Sequence, residues 1–153
     1  MKKRIIPALP QPLIRFQHQA LNRLRSRLLE DLSREYWAIL LGRTEIAGLT
    51  EVVTIHEILF PGSDDYIEHS RAFLKLKKSY IHRALRELQA RPELNTIVDV
   101  HTHPFCRSSV GFSGIDDADE ISFARFLHER FDGLKYASIV LSQTEYSARM
   151  WDY

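Results

Sequence analysis

The chain contains a single cysteine, Cys106, among its 153 residues, so it cannot form a disulfide bond within itself. Without paired cysteines there is no sign of an oxidising compartment, and we expect a cytoplasmic protein. The basic start, Met1 to Arg4, resembles the first part of a signal peptide, but Pro7, Pro10 and Pro12 interrupt the apolar stretch that follows. The sequence therefore predicts no export signal.

An excess of charge and a long apolar run are also missing. The 21 lysines and arginines nearly balance the 20 aspartates and glutamates, which leaves a formal net charge of +1. This balance argues against binding to nucleic acid or to an anionic membrane surface. No segment reaches the run of about 18 apolar residues that a membrane-spanning helix needs. We therefore predict no partner of either kind.

The composition that is present, 44% hydrophobic and 27% charged, is typical of a globular protein. A chain of this length can bury one continuous core, and no repeat or linker divides it. We predict a single domain over residues 1–153.

Apolar residues at three- and four-residue spacing predict helices over residues 13–33, 70–89 and 116–131. Short apolar or β-branched runs predict strands over residues 4–9, 36–41, 48–60, 97–103, 136–141 and 147–151. The strands at 36–41 and 48–60 should pair. Together these elements predict an α/β fold with a mixed sheet covered by helices.

Two histidines, His101 and His103, lie at the end of the strand predicted at 97–103. Side chains two residues apart on a strand point to the same side, about 6.6 Å apart along the chain, so both imidazoles can reach one ion. Imidazole nitrogen suits Zn²⁺. A His-x-His pair alone is equally consistent with a structural role.

A second segment, Ser113-Gly114-Ile115-Asp116, adds a hydroxyl and a carboxylate after a loop that can fold back on the strand end. Two histidines and one aspartate leave a fourth coordination position open, as in catalytic zinc sites. The same Ser-x-x-Asp pattern is typical of a helix-capping box, and the two roles can coexist.

Together these segments resemble the JAMM motif of the MPN+ (JAB-type) metalloproteases, His-x-His followed after a spacer by Ser-x-x-Asp. That family also carries an upstream Glu-x-x-Gly-x-Leu-x-Gly, and residues 35–42 here read Glu-Tyr-Trp-Ala-Ile-Leu-Leu-Gly. Two positions depart from the family pattern. The spacer has nine residues instead of seven, and Ala38 replaces the common glycine. The order of predicted elements is also similar to the MPN core over nearly the whole chain.

The resemblance implies an MPN (JAB)-like fold and a zinc ion held by His101, His103 and Asp116. It implies that Glu35 is the catalytic base, which takes a proton from the zinc-bound water and passes it to the leaving amine. Ser113 would donate a hydrogen bond to the oxyanion.

Several alternatives stay open. Asp117 or Asp119 would replace Asp116 as a ligand if the longer spacer kept Asp116 away from the ion. Asp99 would orient a ligand histidine or face solvent, and Cys106 would line the pocket. The five remaining histidines belong to no such sequence motif and are expected on the surface or in the core: His18, His56, His69, His82 and His128.

The family resemblance also implies a substrate, the peptide or isopeptide bond at the C-terminus of ubiquitin or a ubiquitin-like protein. The tail would bind as an added strand. The compact chain is similar to prokaryotic JAB-domain isopeptidases, which occur with E1-like and E2-like proteins in conjugation pathways, some of them antiviral. The alternatives are a processing peptidase for a sulfur-carrier protein and a catalytically inactive MPN-type scaffold.

Overall fold

A seven-stranded mixed sheet carries the fold in the computed structural model, which describes residues 6–8, 12–71, 73–106 and 109–152. The α-helices are α1 (Ala20–Leu28), α2 (Lys78–Gln89) and α3 (Gly114–Arg130). The strands are β1 (Ile6–Ala8), β2 (Leu13–Arg15), β3 (Trp37–Ala47), β4 (Thr50–Leu59), β5 (Tyr66–His69), β6 (Leu74–Leu76), β7 (Thr96–Thr102), β8 (Lys135–Leu141) and β9 (Tyr146–Asp152).

The strand order in the sheet is β1-β9-β8-β7-β3-β4-β2. β2 pairs parallel to β4 and β7 parallel to β8, whereas the other neighbours are antiparallel. β5 and β6 form a separate antiparallel hairpin. The predicted mixed sheet and the predicted pairing of β3 with β4 are both confirmed.

Both faces of the sheet are covered by apolar side chains, and β3 shows this directly. Ala38 and Leu40 belong to the core on the α1 side, whereas Ile39 and Leu41 belong to the core on the α2 and α3 side. Successive strand residues point to opposite faces, so a strand covered on both faces has a continuous apolar run. The sheet and its three helices form one compact mixed α/β domain.

Two predicted helices begin later than their apolar spacing indicates. Residues 13–15 form β2 on the sheet edge, and a left-handed backbone at Gln19 (φ 64°) precedes α1. Leu13 and Phe73 are 52% and 58% exposed, so neither lies on a buried helical face. The second of these helices begins at Lys78, because residues 74–76 pair with β5 instead. Strand pairing overrides a local helical pattern at both places.

The strands β4, β7, β8 and β9 and the helix α3 agree with the predictions to within a few residues. By contrast, β3 continues six residues past its predicted end, to Ala47, α1 ends at Leu28 rather than near residue 33, and β5 forms where no strand was predicted. Of the strand predicted at residues 4–9, residues 6–8 form β1, and the rest lies outside the described ranges. No helix in these ranges combines the length and apolar character that crossing a bilayer requires.

Candidate metal centre

The two histidines of the predicted metal site lie at the end of β7, in the middle of the sheet. His101 is opposite Trp37 of β3 and Val140 of β8. His103 follows the last residue of β7, and its N–H donates to the carbonyl of Leu141 at 2.8 Å, which continues the strand pairing. Their ring centroids are 5.0 Å apart. The backbone of a central strand therefore fixes the spacing of both imidazoles.

The first turn of α3 brings a carboxylate to these histidines. Ser113 is the N-cap of α3, and its Oγ accepts a hydrogen bond from the N–H of Asp116 at 3.2 Å. Asp116 Oδ2 accepts in turn from the N–H of Ser113 at 2.5 Å. This is the capping box that the sequence predicts. The box orients the Asp116 side chain toward the end of β7.

Asp116 faces both histidines despite the nine-residue spacer. Its Oδ1 lies 3.2 Å from His101 Nε2, and its Oδ2 lies 3.6 Å from His103 Nε2. One ligand atom from each of the three residues lies within 4.8 Å of the other two. His101 Nε2 is buried, and within the described chain no group forms an aligned hydrogen bond to it. Two imidazole nitrogens and a carboxylate oxygen fit a transition-metal ion such as zinc.

Burial and neighbouring charges both shift the pKa values of these three residues. For His101, burial lowers the pKa, but the carboxylates of Asp116 and Asp99 outweigh it and raise the pKa above its usual value. For His103, burial and the neighbouring His101 lower the pKa. Burial raises the pKa of Asp116, but contacts with His101 and Ser113 outweigh burial and bring it well below its usual range. Asp116 is thus an ionised carboxylate, the form that binds metal.

Glu35 immediately precedes β3 and lies beside the same cluster. Its Oε1 is 3.9 Å from His103 Nε2, and its side chain is 27% exposed. Burial raises the pKa of the Glu35 carboxyl, partly offset by His101. A carboxylate with a raised pKa is a stronger proton acceptor. The structure therefore brings Glu35, Ser113 and the three predicted ligands to one place.

A buried polar network lies behind the candidate ligands, and sequence reasoning missed most of it. Tyr136 donates a hydrogen bond to Asp99, and Ser138 donates to Glu120. Arg149 Nε also donates to Glu120, at 2.8 Å. Burial and then the charge of Glu120 raise the pKa of Asp99 to about 8. Glu120 and Arg149 carry no local signal, because each resembles a surface residue of an amphipathic element.

The residues whose role the sequence left open lie at different positions around the site. Asp117 pairs with Arg149 at 2.7 Å and is not a member of the cluster formed by His101, His103 and Asp116. Asp99 belongs to the buried network, within 4.8 Å of a ring nitrogen of His101. Cys106 is half-buried, and its N–H donates to the carbonyl of His103 at 3.1 Å. His69, expected to be a surface or core residue, contacts the backbone of Glu35.

Neither a protein-family model nor a curated protein sequence matches the chain. The functional proposal therefore depends on the motif and on the geometry of this site.

Proposed function

We propose that the chain is a zinc-dependent peptidase or isopeptidase of the JAMM/MPN+ (JAB) type, with an MPN-like fold. The observation that carries this proposal is the convergence of His101, His103 and Asp116, whose ligand atoms lie within 4.8 Å of one another. Glu35 lies at the edge of this group, 3.9 Å from His103. Three protein ligands with an adjacent carboxylate are typical of hydrolytic rather than structural zinc sites.

His101, His103 and Asp116 would hold the ion. When bound, zinc supplies Lewis acidity, which acidifies a coordinated water and polarises a carbonyl oxygen. Glu35 accepts a proton at Oε1 and then donates it to the leaving amine, a step that amide cleavage needs because an amide anion is a poor leaving group. The 3.9 Å between Glu35 Oε1 and His103 Nε2 supports this role, because the carboxylate lies beside a residue that would hold the ion.

Ser113 contributes a hydrogen-bond donor to the same site. Its Oγ accepts a hydrogen bond from the N–H of Asp116, and its hydroxyl group lies beside the Asp116 carboxylate. With that carboxylate bound to the ion, the hydroxyl hydrogen would turn toward a developing oxyanion. Donors aimed at such an oxygen lower the barrier because the charge forms only in the transition state. The capping box thus holds both a metal ligand and the oxyanion donor.

The substrate that we propose is the C-terminal tail of ubiquitin or a ubiquitin-like protein, cleaved in the cytoplasm with E1-like or E2-like proteins as pathway partners. The support is the JAMM-like motif together with a cavity of about 200 Å³ that opens beside Glu35, His101 and Asp116. A sulfur-carrier protein is the second candidate substrate.

The test is to load the purified protein with zinc and incubate it with fusions of ubiquitin, ubiquitin-like and sulfur-carrier proteins. We expect one bound zinc per chain and cleavage after the tail. Glu35→Gln should keep the zinc and lose at least about 10²-fold in turnover, because it removes the general base. His101→Ala should lose the zinc. Glu30→Gln, an exposed glutamate of similar chemistry, should change neither.

Two results would contradict the proposal. A Glu35→Gln protein with normal turnover would remove Glu35 from the mechanism. A wild-type chain that takes up no zinc, even at micromolar supply, would belong to the class of inactive MPN-type scaffolds.

A further inference from the structure

Arg149 of β9 connects the end of the spacer, residues 104–112, to the first two turns of α3. Its side chain is 13% exposed. Its Nη1 lies 2.7 Å from Asp117 Oδ1, and its Nε lies 2.8 Å from Glu120 Oε2. Its guanidinium carbon lies 3.7 Å from the centroid of the Phe112 ring, within the range of a cation–π contact. One side chain of β9 therefore contacts one spacer residue and two helix residues.

These contacts enclose the segment that carries Asp116. Phe112 is the last residue of the spacer and directly precedes Ser113, the N-cap of α3. Asp117 follows Asp116 in the first turn of the helix, and Glu120 lies in the next turn. Arg149 thus holds this segment against β9 on both sides of Asp116.

The Phe112 ring also contacts one of the candidate ligands. Its centroid lies 6.1 Å from the centroid of the His101 ring, and the two planes meet at 64°. Edge-to-face pairs at this separation are favourable. Phe112 is therefore in contact with both His101 and Arg149.

The burial of Glu120 makes arginine the suitable residue at position 149. Glu120 is 4% exposed and lies in the wall of the cavity beside the candidate centre. A buried carboxylate that loses its cation is left with an uncompensated charge, so this pair is costly to break. The planar guanidinium can donate to two carboxylates while its face lies on an aromatic ring, whereas the compact ammonium of a lysine cannot make all three contacts.

We propose that Arg149 is a positioning residue for the candidate metal centre. It holds Phe112 and the first turns of α3 in place, so that Asp116 stays beside the two histidines. A flexible loop by itself allows many positions of the helix that follows it. Ligands that are already in place bind an ion more tightly, because less order has to be imposed on binding. This inference rests on the proposed function, since it requires a metal ion at this centre.

A purely structural role for Arg149 is the competing explanation, because the loss of a buried ion pair also lowers stability. The two explanations differ in the quantity that changes. A structural residue alters the free energy of unfolding but not the metal affinity of the folded protein. A positioning residue alters the metal affinity itself.

The first experiment measures the zinc affinity of folded variants by competition with a chromogenic chelator. Arg149→Lys keeps the charge but not the three simultaneous contacts, and Phe112→Leu removes the ring but leaves both ion pairs in place. We expect each variant to bind zinc at least about tenfold more weakly than the wild type, as for other residues that orient metal ligands. The double variant should lose less than the product of the two losses, because both changes break the same contact.

Two controls separate metal affinity from stability. Gly42→Ala destabilises the sheet, because a Cβ there would lie 2.5 Å from the carbonyl oxygen of Thr54. Gly42 pairs with Thr96 at the start of β7, away from His101. Arg125→Lys makes the same exchange as Arg149→Lys at an exposed position of α3. Both control variants should bind zinc as tightly as the wild type.

The second experiment replaces zinc by Co²⁺, whose visible absorption depends on the number and geometry of its ligands. The wild type and both controls should give one common spectrum. Arg149→Lys and Phe112→Leu should give a different spectrum, because the Asp116 oxygen is no longer held beside the two histidines. A residue that only stabilised the fold would leave this spectrum unchanged.

Wild-type zinc affinity and a wild-type cobalt spectrum in both Arg149→Lys and Phe112→Leu would overturn the inference. An equal loss of zinc affinity in Gly42→Ala would overturn it as well, because destabilisation alone would then explain the effect. A wild-type chain that binds neither metal would contradict the proposed function and this inference together. A wild-type chain that binds zinc and cleaves the fusions, while both variants keep its affinity, would overturn this inference alone.

Discussion

His69 Nε2 lies 2.7 Å from the backbone oxygen of Glu35. A carbonyl only accepts hydrogen bonds, so His69 donates and its proton is on Nε2. The ring of His69 stacks on Tyr66 at a centroid distance of 4.1 Å and meets the edge of Tyr36 at 4.7 Å. The β5–β6 hairpin thereby holds the residue that we propose as the catalytic base.

His69 is therefore predicted to be a positioning residue. His69→Ala should lower kcat about tenfold, because a base displaced by a fraction of an ångström loses its alignment, while zinc content stays at the wild-type level. His69→Gln should restore part of the loss, since its amide can donate to the same oxygen. The measurements are steady-state kinetics and metal analysis.

The matched control is His56→Ala, an exposed histidine of β4, which should leave kcat unchanged. Equal activity of His69→Ala and the wild type would show that the hydrogen bond to Glu35 does not matter for catalysis.

Ser113→Ala should separate helix capping from metal binding. Loss of the cap should lower the free energy of unfolding by about 1 kcal/mol, and kcat should fall about 10²- to 10³-fold with the loss of an oxyanion donor. Zinc content should remain, because His101, His103 and Asp116 are intact. Urea unfolding, metal analysis and kinetics measure the three quantities.

Ser122→Ala serves as the control in the same helix, because its Oγ only donates back to the carbonyl of Ala118. If Ser113→Ala lost its zinc, the cap rather than the oxyanion would account for the activity loss.

Gly42→Ala should destabilise the sheet. A Cβ at Gly42 would lie 2.5 Å from the carbonyl oxygen of Thr54, at the register shift between β3 and β4. Backbone cannot give way as a side-chain end can, so we expect a loss of about 1–3 kcal/mol in unfolding free energy. Gly111→Ala, where a Cβ meets nothing within 4 Å, should unfold at nearly the wild-type urea concentration. Similar midpoints for both variants would contradict the steric explanation.

The Asp65–Arg83 ion pair predicts a pH-dependent contribution to stability. Arg83 Nη2 lies 2.8 Å from Asp65 Oδ2, and the N–H of Gly62 donates to the same oxygen at 2.8 Å. The hydrogen bond from Arg83 lowers the pKa of Asp65, against a smaller opposing effect of burial. Because the folded-state pKa of Asp65 is below the unfolded one, ionised Asp65 stabilises the folded protein above the unfolded pKa of about 4. This stabilisation is lost as the pH falls through the folded-state pKa.

Asp65→Asn should therefore lower the free energy of unfolding by about 0.5–1 kcal/mol at pH 7. The difference from the wild type should shrink steadily below about pH 4. Urea unfolding at a series of pH values measures it. Asp64→Asn, an exposed neighbour, should show no such trend. A constant difference across the whole pH range would mean that the charge of Asp65 is not responsible.

The sequence by itself determined the helices and strands whose apolar residues follow a continuous or regularly spaced pattern. β3 and β7 are covered on both faces, and a strand of this kind is recognisable from its continuous apolar run. The sequence also placed His101, His103 and the Ser113–Asp116 capping box, because each is a pattern among near neighbours. The distance between the two histidines on β7 and the capping box at the start of α3 both follow from regular backbone geometry, which these short sequence patterns predict.

Only the tertiary structure decided which distant residues meet. Leu13 and Leu74 carry helical spacing, but pairing with β4 and β5 makes their segments strands. Glu120 and Arg149 are 29 residues apart, and Glu35 and His69 are 34 apart. Contacts across such separations depend on how the sheet, hairpin and helices pack, and the spacing of residues within one segment does not predict them. For that reason the residues of the candidate metal centre could be proposed from the sequence, whereas the cavity wall and the hydrogen bond to Glu35 could not.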